Sequence, residues 1–405
     1  MTRQFHLLTF GIAVPILVAA HITSFAAHAG TVVYVADVEQ LYDVVNHGNE
    51  GATVVLYPGI YPLSSTDPTG MDRPNGGRLE LKKDMSLYGV AGDRTAVVID
   101  ARALPRASFS APFGRTGPIR IGRGSNTIEW LTVLGWEAAA AGIATELDGM
   151  PSTRIRVAHV VSSGTSRGVD VRNVGLTMEG RRIDAEIVDN DFLGPEVLEP
   201  GTMSEGIRVV NFVGANRGVI VATLRANRTH GFQIGCIVAN NRSSNAAVQV
   251  RSSGDEFSAN GLGCVIAGGL SQAATGVADS NTTAFEAFGS KFVDNTADLG
   301  FEPGGIRVAG GLSTMLTNVT SGNTVSVSLS GSQVSGNEQV VPRAVDFEAF
   351  GAIQTALAGL AGTDNRVTIT LRGISAQTEV VAVDSLVEDP SGSNTVTVIR
   401  SPDAR

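Results

Sequence analysis

The chain has 405 residues, of which 43% are hydrophobic and 17% charged, with a formal net charge of -9. That is enough apolar material for a real core, which excludes a disordered chain, and too acidic a balance for a nucleic-acid partner, because phosphate binding needs a basic face. The 48 glycines follow no Gly-X-Y period, so collagen is excluded and many short strands joined by tight turns are expected.

Residues 1–29 read as a secretory signal. Arg3 gives the basic start, residues 7–20 are apolar, and Ala27-His28-Ala29 is a small-residue cleavage site. The expectation is a secreted or periplasmic protein cut after Ala29. Nothing after it approaches the roughly 18 apolar residues of a membrane span. Residues 30–405 then read as one domain.

Residues 31–35 predict a strand, and 36–47 an amphipathic helix with Val38, Leu41, Tyr42 and Val45 on one face. Asp37 followed by Gln40 is a capping-box spacing, and Gly48 ends the helix. Together, about 31–50 would cap the open edge of whatever follows. A weaker, Gly-interrupted helical pattern spans 350–361. From residue 52 onward the apolar period is two, as in Ala52-Thr-Val-Val-Leu56 and Ala96-Val-Val-Ile99, and glycine or asparagine closes most runs. No helix separates consecutive strands, so a βαβ sheet is excluded.

Repetition chooses among the all-β architectures. The pattern of Gly or Pro followed by apolar, any residue, apolar recurs at Pro118-Ile-Arg-Ile, Gly142-Ile-Ala-Thr, Gly168-Val-Asp-Val, Gly206-Ile-Arg-Val, Gly231-Phe-Gln-Ile and Gly305-Ile-Arg-Val. Gly235-Cys-Ile-Val-Ala239 and Gly263-Cys-Val-Ile-Ala267 form a second copy. Such a repeat suits a parallel β-solenoid, in which Ile143, Val169, Ile207, Phe232 and Ile306 face inward. Cys236 and Cys264 then share a slot on adjacent coils, pointing inward. Their parallel side chains favour a buried thiol pair, while an oxidising compartment would favour a disulfide.

The run Ala52-Thr-Val-Val-Leu-Tyr-Pro-Gly-Ile-Tyr61, with Met85-Ser-Leu-Tyr-Gly-Val-Ala-Gly92, Ala96-Val-Val-Ile-Asp100 and Asn126-Thr-Ile-Glu-Trp-Leu-Thr-Val, resembles the first coils of right-handed parallel β-helix proteins of the pectin-lyase-like superfamily. The resemblance implies an all-β, right-handed parallel β-helix over about 31–400 and an exposed groove along one sheet as the usual substrate site. It does not transfer a catalytic set: the lyases' Asp-His and Arg-x-Pro-x-x-Arg motifs are missing, and of the polygalacturonase segments only His230-Gly231 is present.

Aligning the repeats predicts an outward ladder of Arg120, Ala144, Asp170, Arg208, Gln233 and Arg307. Arg172 lies two residues further on, Asn211 at a strand end and His230 just before its strand. Asp170, Arg208 and His230 are the candidate catalytic groups: a carboxylate held ionised between arginines and a proton carrier alongside. Arg120, Arg172, Asn211, Gln233 and Arg307 are the candidate substrate-binding residues, since arginine forks hold carboxylates in pairs of bonds. The bland alternative is a charge ladder that only stabilises the stack.

No cofactor is implied. His159 lies in an alternating run and reads as structural, and no His/Cys cluster has ligand spacing. Asp184, Glu186, Asp189 and Asp191 would suit Ca²⁺, but no calcium-loop motif accompanies them. The functional expectation is a protein that binds or acts on an acidic polysaccharide through the ladder groove. The alternative is a non-catalytic surface or envelope interaction protein. Oligomeric state and enzyme status stay open.

Overall fold

The computed structural model describes residues 30–111, 114–115, 117–136, 141–145, 152–174, 179–197, 203–271, 276–296, 304–313, 320–337, 346–354, 362–374, 380–385 and 393–401, so the predicted signal lies outside them. Strand Val32–Val35 leads into helix Val38–His47. Its start is the predicted capping box. The Gln40 N–H donates to Asp37 Oδ1 at 2.8 Å, and the Ala36 N–H donates to Gln40 Oε1 at 3.0 Å. Leu41, Tyr42 and Val45 are buried. The Tyr42 hydroxyl donates to Gly77 O at 2.7 Å, pinning the helix to the first coils, and burial pushes its phenol up to about 12.

Beyond the helix, the chain winds. Among the described residues, a typical coil gives one strand to a ten-stranded sheet and two shorter ones to a nineteen-stranded sheet. All pairings within these two sheets are parallel, and one short antiparallel pair, Ser110–Ala111 with Gly114–Arg115, stands apart. Ile119, Ile143, Val169, Ile207, Cys236, Cys264, Ile306 and Phe347 lie in a single register column of the smaller sheet, every one buried. This is a parallel β-helix with its core inside the coil. One coil alone could not bury that inner face, so stacking is the folding event.

Two expectations are corrected. Phe232 faces the core as expected, but its place in the repeat is wrong: it precedes strand Ile234–Asn241, and the rung above Ile207 belongs to Cys236. The helical pattern at 350–361 starts inside strand Phe347–Gln354, which pairs with Gly304–Ser313; 355–361 lie outside the described residues. A neighbouring strand templates alternation more strongly than weak, glycine-interrupted helical spacing resists it. The cysteines are free, buried neighbours; a hydrogen bond with Cys264 and burial hold the Cys236 thiol well above its ordinary value.

Polar side chains fill the turns of the interior. Asn281, Asn323, Asn365 and Asn394 stack with side-chain bonds of 3.0, 3.0 and 3.1 Å, and the oxygens of the last three also accept the backbone N–H of the preceding asparagine. A second stack runs Asn190, Asn227, Asp255. Buried turn backbone thus finds partners that a simple strand ladder would not supply.

Candidate functional site

On the outer side of the ten-stranded sheet, Asp170 and Arg208 are direct register partners, one strand spacing apart. Arg172 Nη2 donates to Asp170 Oδ2 at 2.6 Å, and Arg208 Nε lies 3.8 Å from Asp170 Oδ1, too long for a hydrogen bond. Arg167 pairs with Glu205, whose carboxylate is also 3.7 Å from Arg208 Nη1. The rings of charge close over Phe212, with the Arg172, Arg208 and Arg242 guanidinium carbons 5.5, 5.1 and 5.6 Å from its centroid.

This cluster is shut. The Asp170 side chain is 0% exposed, Glu205 3%, Arg172 6% and Arg208 8%. Burial pushes the Asp170 carboxyl up, but the fields of Arg172, Arg208 and Arg167 outweigh it and hold the group below its ordinary value. Burial pulls the Arg208 guanidinium down to about 10, against the Glu205 carboxylate. An acid locked in its ionised form, with guanidinium donors around it and no solvent path, neither gives nor takes a proton readily.

The other ladder residues are equally occupied. Arg120 pairs with Glu80, and Arg307 with Glu348 at 2.7 Å. Ala144 is buried. Above Arg208 the column turns apolar, through Ile237 and Val265, within an outer cluster that includes Val210, Leu262 and Leu270.

Three predicted site residues are not on this face. Gln233 lies in a turn and exchanges bonds of 2.9 Å with Ser204. Asn211 is in the same sheet, in strand Glu205–Phe212, but three residues beyond Arg208 and so on the inner side, bonded to its register partners Asn173 and Asn240. His230 is on the nineteen-stranded sheet in strand Arg228–His230, 3.2 Å from Asp191 Oδ1. For Gln233 and His230 the reason is a four-residue slip: Gly231-Phe-Gln-Ile and Gly235-Cys-Ile-Val both fit the repeat, and only stacking shows the second to be the rung.

His230 instead points to a feature the sequence left unread. In the larger sheet, a single left-handed residue bends each coil between its two strands: Asp189 (φ 51°), Ala226 (φ 56°), Gly254 (φ 64°) and Gly289 (φ 59°). Just beyond the bends, Asp191, Arg228, Glu256 and Lys291 stand in one register column, alternately negative and positive, with Phe192, Thr229, Phe257 and Phe292 beside them turned inward. The recurring signal is an inward polar residue, an outward charge, then an inward core residue: Asn190-Asp191-Phe192, Asn227-Arg228-Thr229, Asp255-Glu256-Phe257, Ser290-Lys291-Phe292.

This column lines an open cavity of about 310 Å³, which Arg94 and Asp189 complete. Arg94 Nη1 donates to Asp189 O at 3.2 Å, and Lys291 Nζ lies 3.5 Å from Glu256 Oε2. The exposed Arg228 side chain makes no hydrogen bond or ion pair among the described residues. His159 lies within strand Ser152–Ser163, as expected, at a left-handed residue (φ 55°) one coil before Asp189; it stacks on Trp130 at 3.9 Å and pairs with Asp189 Oδ2 at 2.8 Å. The acidic cluster weighed for Ca²⁺ is likewise spoken for: Asp184 pairs with Arg182, Glu186 with Arg156, and Asp189 and Asp191 with histidines.

No protein-family model matches the chain, and no curated protein sequence does. Solved structures similar to it include the A-module of Azotobacter vinelandii mannuronan C-5 epimerase AlgE4, at 15% identity over 93% of this chain and 96% of that one, with a TM-score of 0.43. The AlgE6 A-module from the same organism is 16% identical over 90% and 94%, with a TM-score of 0.38. Pectate lyase Pel9A is 13% identical over 87% and 80%, also with a TM-score of 0.38.

Proposed function

We propose that the chain is an exported β-helix protein that binds an acidic polysaccharide without transforming it, and that it does so at the bend cleft rather than on the ladder face. The observation that carries this is the open cavity in which the unpaired Arg228 stands among the carboxylates of Asp189, Asp191 and Glu256. A uronic acid is the complement of such a lining. Its carboxylate takes the guanidinium fork, and its hydroxyls donate to the acids.

The ladder face supports binding less well, since its arginines already face carboxylates inside the protein. The test is a panel of polyuronates and neutral polysaccharides, read by affinity electrophoresis and by ultraviolet absorbance for unsaturated products. Retardation by polyuronates alone, without new products or reducing ends, is the expected result. Product formation, or equal retardation by neutral glycans, overturns the proposal.

A further inference from the structure

The cleft has a repeat, and the repeat has a length. Arg228 and Lys291 are the positive members of the column Asp191, Arg228, Glu256, Lys291, with Glu256 between them in register. Two strand spacings separate them, roughly 10 Å along the solenoid axis. One pyranose of an extended 1,4-linked chain advances about as far as one strand spacing, and in a twofold ribbon the carboxylates of alternate sugars emerge on the same side. A uronate chain lying along the axis therefore meets the column sugar for coil.

We infer that the cleft reads every second uronate of such a chain, with carboxylates at Arg228 and Lys291, the hydroxyls of the sugar between them on Glu256, and those of the sugar before Arg228 on Asp191. This rests on the functional reading above and adds its direction, register and minimum length. Three consecutive sugars are the shortest ligand that can present two carboxylates on one side. Both cationic side chains are exposed, so the fit costs little desolvation, and the second contact acts through effective concentration. Lys291, now 3.5 Å from Glu256, has amine protons left over for a ligand.

The experiment is titration calorimetry at low salt with size-defined uronate dimer, trimer, tetramer and hexamer, on the wild-type chain and on Arg228→Ala and Lys291→Ala. Removing these exposed side chains leaves the core untouched, and matching denaturation midpoints confirm folding. The wild type should bind the trimer about tenfold tighter than the dimer, with little gain beyond the tetramer. Lys291→Ala should bring the trimer down to the dimer's affinity. A polymer carrying uronate at every second sugar should bind as well as a homopolymer. No step between dimer and trimer, or a step that survives Lys291→Ala, overturns the register while leaving polyuronate binding standing. Failure of the wild type to bind even the hexamer overturns the functional reading and the register with it.

Discussion

Two columns of alternating charge run along this β-helix, on different faces. The ladder column, through Glu80, Arg120, Asp170, Arg208, Arg307 and Glu348, is closed over by ion pairs; the bend column, Asp191, Arg228, Glu256 and Lys291, lies open around a cavity. The residue types are the same, and so is the stacking rule that sets one side chain per coil. The difference is burial. Where charges are taken out of water they must be satisfied within the protein, and they become part of its architecture. Where they stay wet, their mutual attraction is weak and they remain available to a ligand.

The comparison breaks most readily at Asp170. Deleting this carboxylate with Asp170→Ala takes the ion-pair partner from Arg172 and leaves Glu205 alone to balance Arg167 and Arg208, and a buried pair broken on one side costs about 3–5 kcal/mol. Arg228→Ala, on the open column, should shift stability by no more than about 0.5 kcal/mol. Guanidinium denaturation of the two variants side by side measures both. Equal losses would mean that the columns are not different in kind. Raised salt sharpens the same contrast: polyuronate affinity should fall steadily with ionic strength, while the denaturation difference for Asp170→Ala hardly moves, because buried pairs are screened little.

Asp255 offers a third case, since it is buried directly beneath the open column in the polar stack with Asn190 and Asn227. Burial raises its carboxyl from 3.8 to about 6, despite bonds from Ser252 Oγ at 2.6 Å and from Asn227. The folded value lies above the unfolded one, so folding favours the protonated acid. Its stabilising effect is complete below about pH 4 and is lost as the pH rises through about 6. The shift amounts to about 3 kcal/mol between those limits. Denaturation midpoints over a pH series should therefore decline across that window in the wild type and flatten in Asp255→Asn, which keeps an acceptor for Asn227 and gives Ser252 a donor. Parallel slopes for the two proteins would remove Asp255 as the source.

The fold was legible in the sequence because its signal repeats. The Gly-Ile-Arg-Val type of rung recurs often enough for Asp170 and Arg208 to be aligned across a 38-residue interval, the longest gap before residue 240. The helix was equally legible from Asp37, Gln40 and one apolar face. The site was not. Alternation marks which side chains leave the core but not whether anything covers them, so Asp170 and Arg208 read as groove residues when both are buried. The bend column sits in three-residue strands such as Asp191–Leu193 and Glu256–Ser258, too short for alternation to register. Only the recurring order of inward polar, outward charge and inward core residue marks them, and that order carries meaning once the coils are stacked.

The smallest expected effect concerns the bends that hold the open column in place. Ala226 and Gly254 occupy the same position on successive coils, both left-handed, and both line the cavity. A residue with a Cβ pays about 1 kcal/mol or more for that conformation, whereas glycine adopts it freely. At Gly254 a Cβ would meet nothing within 4 Å, so Gly254→Ala tests the backbone term without a packing term. It should lower stability by about 1 kcal/mol, and Ala226→Gly should raise it by somewhat less, since glycine also loosens the unfolded chain. Polyuronate affinity should hardly change in either variant if the bend sets only the strain and the column sets the contacts. Should Gly254→Ala keep its midpoint but lose affinity, the bend would be shaping the cleft directly, and the open column would owe its geometry to the left-handed residue as much as to strand register.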